Sequence, residues 1–178
     1  MNGSMDVIGD IIKFLNIEIS IIGEEHIIYQ PHIIIANHTT YIDPLILNHI
    51  FKCGFVASSI VNKTIIGEYV KKIIPLIVIN RGNKKNNTVE LMKKFIQNGN
   101  SLGIFPEGMI SNPNTLCKFR TGAFYVGMIV QPVIITYEPY IYTSNIDDYI
   151  GMLLAQDKIN VVVKVLKPEY PTFNNNHI

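Results

Sequence analysis

The sequence predicts an α/β fold: a single domain with a largely parallel or mixed central sheet flanked by helices. Two patterns carry this expectation. Short runs rich in isoleucine and valine recur along the chain, and amphipathic helical patterns fall between them. The 178 residues, 48% of them hydrophobic and only 16% charged, are enough for one sizeable core and exclude a disordered chain. Isoleucine and asparagine are over-used, which blurs periodicity because isoleucine stands on both faces of many segments.

Residues 1–16 hold an N-terminal amphipathic helix, with Val7, Ile8, Ile11, Ile12, Phe14 and Leu15 at helical spacing and Asp6, Asp10 and Lys13 opposite. Such a helix packs on its own domain or lies shallowly in a bilayer surface. The domain proper is expected over residues 17–172. Its first strand, Ile17 to Ile21, alternates with a period of two and ends at Gly23. His32 to Ala36 is a continuous apolar run, as buried strands are. Asp43-Pro44 opens a helix reaching about Phe51, with proline at the first helical position. Further strands are predicted at Gly54–Ser58, Pro75–Ile79, Ser101–Phe105, Gln131–Tyr137 and Asn160–Leu166, and helices at Thr64–Lys72, Asn87–Gln97 and Ile146–Gln156. The tail 173–178, with Asn174-Asn175-Asn176, is expected to be disordered.

A net charge of +1 without a long run of one sign gives no electrostatic footprint for nucleic acid. Lys71–Lys72, Lys84–Lys85 and Lys93–Lys94 read as solvated surface. The two cysteines, Cys53 and Cys117, have no metal-ligand spacing and are expected as reduced thiols. No apolar run reaches the roughly 18 to 20 residues of a spanning helix, and no secretory leader is evident. Any membrane association is therefore expected to be peripheral, at the cytoplasmic side.

Two turns after buried runs combine reactive side chains with turn residues, and in α/β sheets such places hold active sites. The first is Asn37-His38-Thr39-Thr40-Tyr41-Ile42-Asp43. On one regular helix, His38 and Asp43 would sit about 140° apart. If the helix starts at Asp43, His38 lies in the preceding turn and folds back, so that Asp43 accepts from one imidazole nitrogen and leaves the other free to take a proton. Asp43 is equally a good N-cap, Asn37 a good Asx-turn residue and His38 an ordinary loop histidine. His26, His32 and His49 have no such partner. The second turn is Phe105-Pro106-Glu107-Gly108, where glycine permits a sharp bend. Arg81, Lys118 and Arg120 stand in loops where they would meet a phosphate or simply face solvent. No Gly-x-Ser-x-Gly elbow is present, so a base at His38 would take its proton from a substrate hydroxyl or from water.

In these segments the sequence resembles the glycerolipid acyltransferase family, which includes lysophospholipid and 1-acylglycerol-3-phosphate acyltransferases. Asn37-His38 with Asp43 is similar to the family's first block, Ile77 to Gly82 to its second, Phe105-Pro106-Glu107-Gly108 to its third and Val130-Gln131-Pro132-Val133 to its fourth, in the family's order. The resemblance implies a glycerolipid acyltransferase-like fold and transfer of a fatty acyl group from acyl-CoA to the free hydroxyl of a lysophospholipid or glycerol phosphate. It implies His38 as general base, Asp43 as its orienting partner, and Arg81, Glu107 and Gly108 at the acceptor. It implies no metal and no cofactor beyond acyl-CoA as substrate.

Many phosphatidate-forming members follow the third block with Thr, Arg and Ser, whereas Met109, Ile110 and Ser111 follow here. Lys118 or Arg120 is expected to supply the missing charge. The stretches Lys118 to Phe124 and Asn160 to Pro171 look more like the lysophosphatidylcholine or glycerol-3-phosphate acyltransferase branch. Two further functions fit the same residues: a CoA-independent phospholipid transacylase, and a catalytically silent lipid-binding module.

Overall fold

A computed structural model describes residues 6–63, 65–80, 87–112, 115 and 117–170. Arg81, the pair Lys84–Lys85 and the tail 173–178 lie outside the described residues.

The chain opens with helix α1 (Val7–Phe14), whose first turn is capped by the Asp6 carboxylate accepting from Gly9 N at 3.1 Å. Strand β1 (Ile17–Ile22) follows, then β2 (Ile33–Ala36), α2 (Asp43–Phe51), β3 (Gly54–Ser58), α3 (Ile65–Ile73), β4 (Leu76–Ile79), α4 (Thr88–Gln97) and β5 (Leu102–Ile104). A 3₁₀ segment, Thr121–Val126, leads into β6 (Val130–Glu138), and α5 (Ile146–Leu154) precedes β7 (Ile159–Val165). Observed strand and helix ends lie close to those read from the sequence. The short 3₁₀ segments were not foreseen, because they carry no apolar period long enough to register.

The seven strands form one mixed sheet in the order β1-β7-β6-β2-β5-β3-β4. β2 lies parallel to both β5 and β6, and β3 parallel to β5 and β4. β7 runs antiparallel to β6, and β1 is parallel to β7, so this edge pair opposes the other five strands. Register places Ile35 beside Ile104 and beside Pro132. The turns leaving β2 and β5 therefore emerge side by side at the same end of the sheet. That adjacency builds the site.

Side chains alternate between two apolar layers, as strand geometry requires. Ile34 and Ala36 of β2 join Ile46 and Leu47 of α2, Ile8 and Ile12 of α1 and Leu153 of α5 on one face. Ile33 and Leu102 face the other way, against Met92 and Ile96 of α4 and Ala123 and Val126 of the 3₁₀ segment. Of the two places open to α1, its apolar side has taken the domain. Ile8 and Ile12 are buried, while Phe14 alone among its large apolar residues is fully open to solvent.

Candidate active site

At the end of β2 the backbone ladder is prolonged by a side chain. Asn37 Nδ2 donates to Ile135 O at 2.9 Å, and its Oδ1 accepts from Ile135 N at 2.8 Å. The amide thus pairs with β6 as a backbone unit would, and does not close an Asx turn. This frees the next residues to turn sharply out of the sheet.

His38 lies in that turn, and Asp43 begins α2. His38 Nδ1 stands 2.9 Å from Asp43 Oδ2. The N-cap position belongs to Ile42, which has no side-chain cap bond, so the Asp43 carboxylate is not an N-cap but reaches backward. It is fully buried. Its Oδ2 also accepts from Thr39 N at 2.7 Å and Thr40 N at 3.0 Å, and its Oδ1 from Thr40 Oγ1 at 2.8 Å and Tyr137 OH at 2.6 Å. A buried carboxylate demands this many donors, because an unpaired charge is costly away from water. As an acceptor, the carboxylate fixes Nδ1 of His38 as the protonated nitrogen. Nε2 has no hydrogen-bond partner among the described residues.

Burial, and then the neighbouring Asp43, push the Tyr137 phenol well above its usual range, so it holds its proton for Asp43. Tyr149, close to the same carboxylate, is raised too, chiefly by burial. Neither Thr40 nor Tyr137 was singled out from the sequence. The signal for Tyr137 was its place on β6, in phase with Val133 and Ile135. An inward tyrosine must find a partner for its hydroxyl.

The imidazole is also held flat. Phe105, just beyond β5, stacks on His38 with centroids 4.0 Å apart and planes 14° apart, and Phe55 of β3 stacks on Phe105 at 5.6 Å. Gly103 leaves room for this pile: a Cβ there would stand 2.3 Å from the Phe55 ring.

Glu107 joins the two turns. Its Oε1 accepts from His38 N at 3.2 Å and its Oε2 from Ser111 Oγ, while Ser111 N donates to His38 O at 2.8 Å. The carboxylate therefore braces the backbone of the His38 turn. It does not line the adjoining cavity, unlike Gly108 and Arg120. Gly108 is required twice over, by its φ of +72° and because a Cβ there would meet Arg120 Nε at 2.8 Å. Lys118 is exposed and stands outside the cavity lining.

That cavity measures about 320 Å³, within the range of small-ligand pockets. His38, Phe105 and Gly108 form one side, with Val56, Met92 and Ile104 among the apolar lining and Met109 and Arg120 completing it. An imidazole whose Nε2 has no partner among the described residues thus borders a cavity of mixed polarity that carries one guanidinium. Cys53, pushed up to about 12 by burial, is no thiolate nucleophile. Among the described residues, no three His, Cys, Asp or Glu side chains converge as a metal site would need.

The chain matches the family model described as Acyltransferase over residues 18–136. It is 28% identical over 155 residues to lysophospholipid acyltransferase LPCAT4 of Xenopus tropicalis, a match covering 80% of this chain and 30% of that protein. With lysophospholipid acyltransferase LPEAT1 of Arabidopsis thaliana it shares 33% over 122 residues, covering 62% of this chain and 30% of that one. The chain thus spans no more than about a third of the length of these relatives. The crystal structure of the 1-acyl-sn-glycerophosphate (LPA) acyltransferase PlsC from Thermotoga maritima superposes with a TM-score of 0.68 at 19% identity, covering 96% of this chain and 72% of that one, a likeness of fold. A family match that runs from β1 into β6, and so takes in both turns of the site, settles the assignment: the chain belongs to the glycerolipid acyltransferase family.

Proposed function

We propose that the protein transfers a fatty acyl group from acyl-CoA to the free hydroxyl of a lysophospholipid or glycerol phosphate, in phospholipid synthesis or remodelling. The observation that carries this is the Asp43–His38 pair: Nδ1 is engaged at 2.9 Å, and the imidazole borders a cavity of small-ligand size.

The acceptor hydroxyl gives its proton to His38 Nε2 as its oxygen attacks the thioester carbonyl. The carbon–oxygen bond forms, and the carbonyl oxygen takes up the negative charge. Collapse breaks the carbon–sulfur bond, and the departing sulfur takes the proton back from Nε2, so that ester and free CoA leave. Asp43 stabilises the transient imidazolium, a general-base contribution of roughly 10²–10⁴-fold.

Arg120, which lines the cavity, pairs with an acceptor phosphate, and Lys118, two positions before it, adds a further cation; Arg81, which the family resemblance also assigns to the acceptor, lies outside the described residues. Gly108 lets Arg120 pack close. Glu107 acts by holding the His38 turn. No metal is assigned a role, and acyl-CoA enters as substrate. The site of action is a membrane surface, on its cytoplasmic side; among the described residues no helix is long and apolar enough to cross a membrane.

Thiol release from a panel of acyl-CoAs tests this. Glycerol-3-phosphate, lysophosphatidate, lysophosphatidylcholine and lysophosphatidylethanolamine would serve as acceptors, with His38→Ala beside the wild type. Acceptor-dependent release that falls about a thousandfold in a folded His38→Ala protein is the expected result. Release unchanged in that variant overturns His38 as base. Acyl transfer between two phospholipids without CoA would replace acyl-CoA as donor.

A further inference from the structure

From Gly108 to Tyr137 the chain carries no aspartate or glutamate, and its only charged side chains are Lys118 and Arg120. Among the described residues of its first part, Gly108 to Gly127, four large apolar side chains are exposed: Met109 is 63% exposed, Tyr125 59%, Phe119 47% and Phe124 39%. Single exposed apolar residues are ordinary, but a cluster beside a binding cavity marks an interaction surface.

Met109 lines the cavity itself, and Phe119, Phe124 and Tyr125 lie within two positions of its lining residues Arg120, Gly122 and Ala123. Arg120 N donates to Pro106 O at 2.8 Å, which clamps this segment onto the turn after β5. Behind the open aromatics, Ala123 and Val126 are buried against Met92 and Ile96 of α4. The patch is therefore a supported surface, continuous with the site. Helix α1 has its apolar face occupied by the domain, with Phe14 open at 78%.

We propose that Met109, Phe119, Phe124 and Tyr125 enter the interfacial layer of a phospholipid bilayer, with Lys118 and Arg120 at the level of the phosphates. Two cations without a neighbouring acid in the segment complement an anionic lipid surface, and aromatic rings with a polar edge suit the headgroup boundary. The cavity then opens onto the lipid surface, so a single-chain acceptor reaches His38 without leaving the membrane. This last step rests on the function proposed above; the docking surface itself does not.

The chain contains no tryptophan, so one substitution supplies a unique reporter. Phe119→Trp and Tyr125→Trp place it in the patch, and Phe14→Trp places it on α1. The full chain would be titrated with phosphatidylcholine vesicles containing phosphatidylglycerol, with brominated acyl chains as quencher. Both patch reporters should shift to the blue and be quenched, and Phe14→Trp should not. The double variant Phe119→Ser, Tyr125→Ser, compared by its unchanged melting curve, should partition onto vesicles at least about tenfold more weakly. It should still turn over an acceptor held below its micellar concentration. Quenching of Phe14→Trp alone, or no quenching in either patch reporter, overturns the proposal, and a patch reporter protected only by another protein overturns the lipid occupant. Quenching in the patch without thiol release from any acceptor leaves the surface standing and defeats acyl transfer. Release with a soluble acceptor and silent patch reporters does the reverse.

Discussion

The two sides of the His38 cavity are built on different terms. On one side lies Asp43, fully buried and receiving hydrogen bonds from the backbone of Thr39 and Thr40 and from three side chains. On the other lies the stretch from Met109 to Tyr125, where the charged groups are exposed and a single guanidinium packs on Gly108. The first side is preorganised: the donors that fix the carboxylate are in place before any substrate arrives. The second side is open to solvent, where a ligand would meet Lys118 and Arg120. Rate should accordingly be governed by the sealed side, and acceptor affinity by the open one.

Asp43→Asn strikes the sealed side hardest. An amide nitrogen facing His38 Nδ1 would donate where the carboxylate accepts, moving the imidazole proton to Nε2. A fall in kcat of about 10⁴-fold is expected in single-turnover thiol release. Stability should fall as well, by on the order of 3 kcal/mol in urea melts, since the donors of Thr40 and Tyr137 face a poorer acceptor. A loss confined to KM would erase the contrast between the two sides.

Arg120→Gln addresses the open side. The acceptor KM should rise about tenfold or more while kcat stays within about twofold, the pattern of lost uniform binding. An acceptor without a phosphate should show no such rise. An equal fall in kcat would instead put Arg120 in the transition state.

Tyr137→Phe sharpens the comparison, since it removes one donor from Asp43 without touching the cavity. The carboxylate then loses one of the donors that fix its orientation towards His38. The drop in kcat should be about three- to tenfold in single-turnover thiol release. A merely structural role would lower stability in urea melts and leave kcat of the folded protein unchanged.

The smallest effect concerns a histidine outside the site. Burial lowers the pKa of His32 below its ordinary 6.5, opposed by its bond to Gln30 O. Below pH 6.5 the unfolded chain takes up a proton that the folded chain refuses, so this group subtracts stability as pH falls. His32→Leu should flatten the loss of melting temperature between about pH 7.5 and pH 5.5. An unchanged slope would assign acid sensitivity to other groups.

What could be read in the sequence follows the same division. The strand, turn and helix from His32 to Phe51 were legible, because His38, Asp43 and Pro44 act within one local turn, and the His38–Asp43 contact spans five positions. Tyr137 on Asp43, Phe105 on His38 and Asn37 on Ile135 were not. Each depends on β2 lying between β5 and β6, and strand order leaves no period in a sequence. The sequence singles out Glu107 for the acceptor. Its bracing of the His38 backbone was not legible, since that needed Ser111 and the parallel pairing of β2 with β5. The abundance of isoleucine hid one further feature: α2 buries Ile46 and Leu47 yet also carries partly covered Leu45 and Ile50, so its buried side was hard to pick.

The bond from Tyr137 to Asp43 joins residues 94 positions apart, and that from Asn37 to Ile135 joins residues 98 apart. As the chain leaves the ribosome, the His38 turn emerges long before either partner. An incomplete chain lacking β6 would own His38 and its carboxylate but neither of these locks, with Asp43 short of a donor and β2 open along one edge. Contacts so far apart are slow to close. Competence for chemistry therefore arrives late, as one event with the docking of β6, and a nascent chain carries no half-working site.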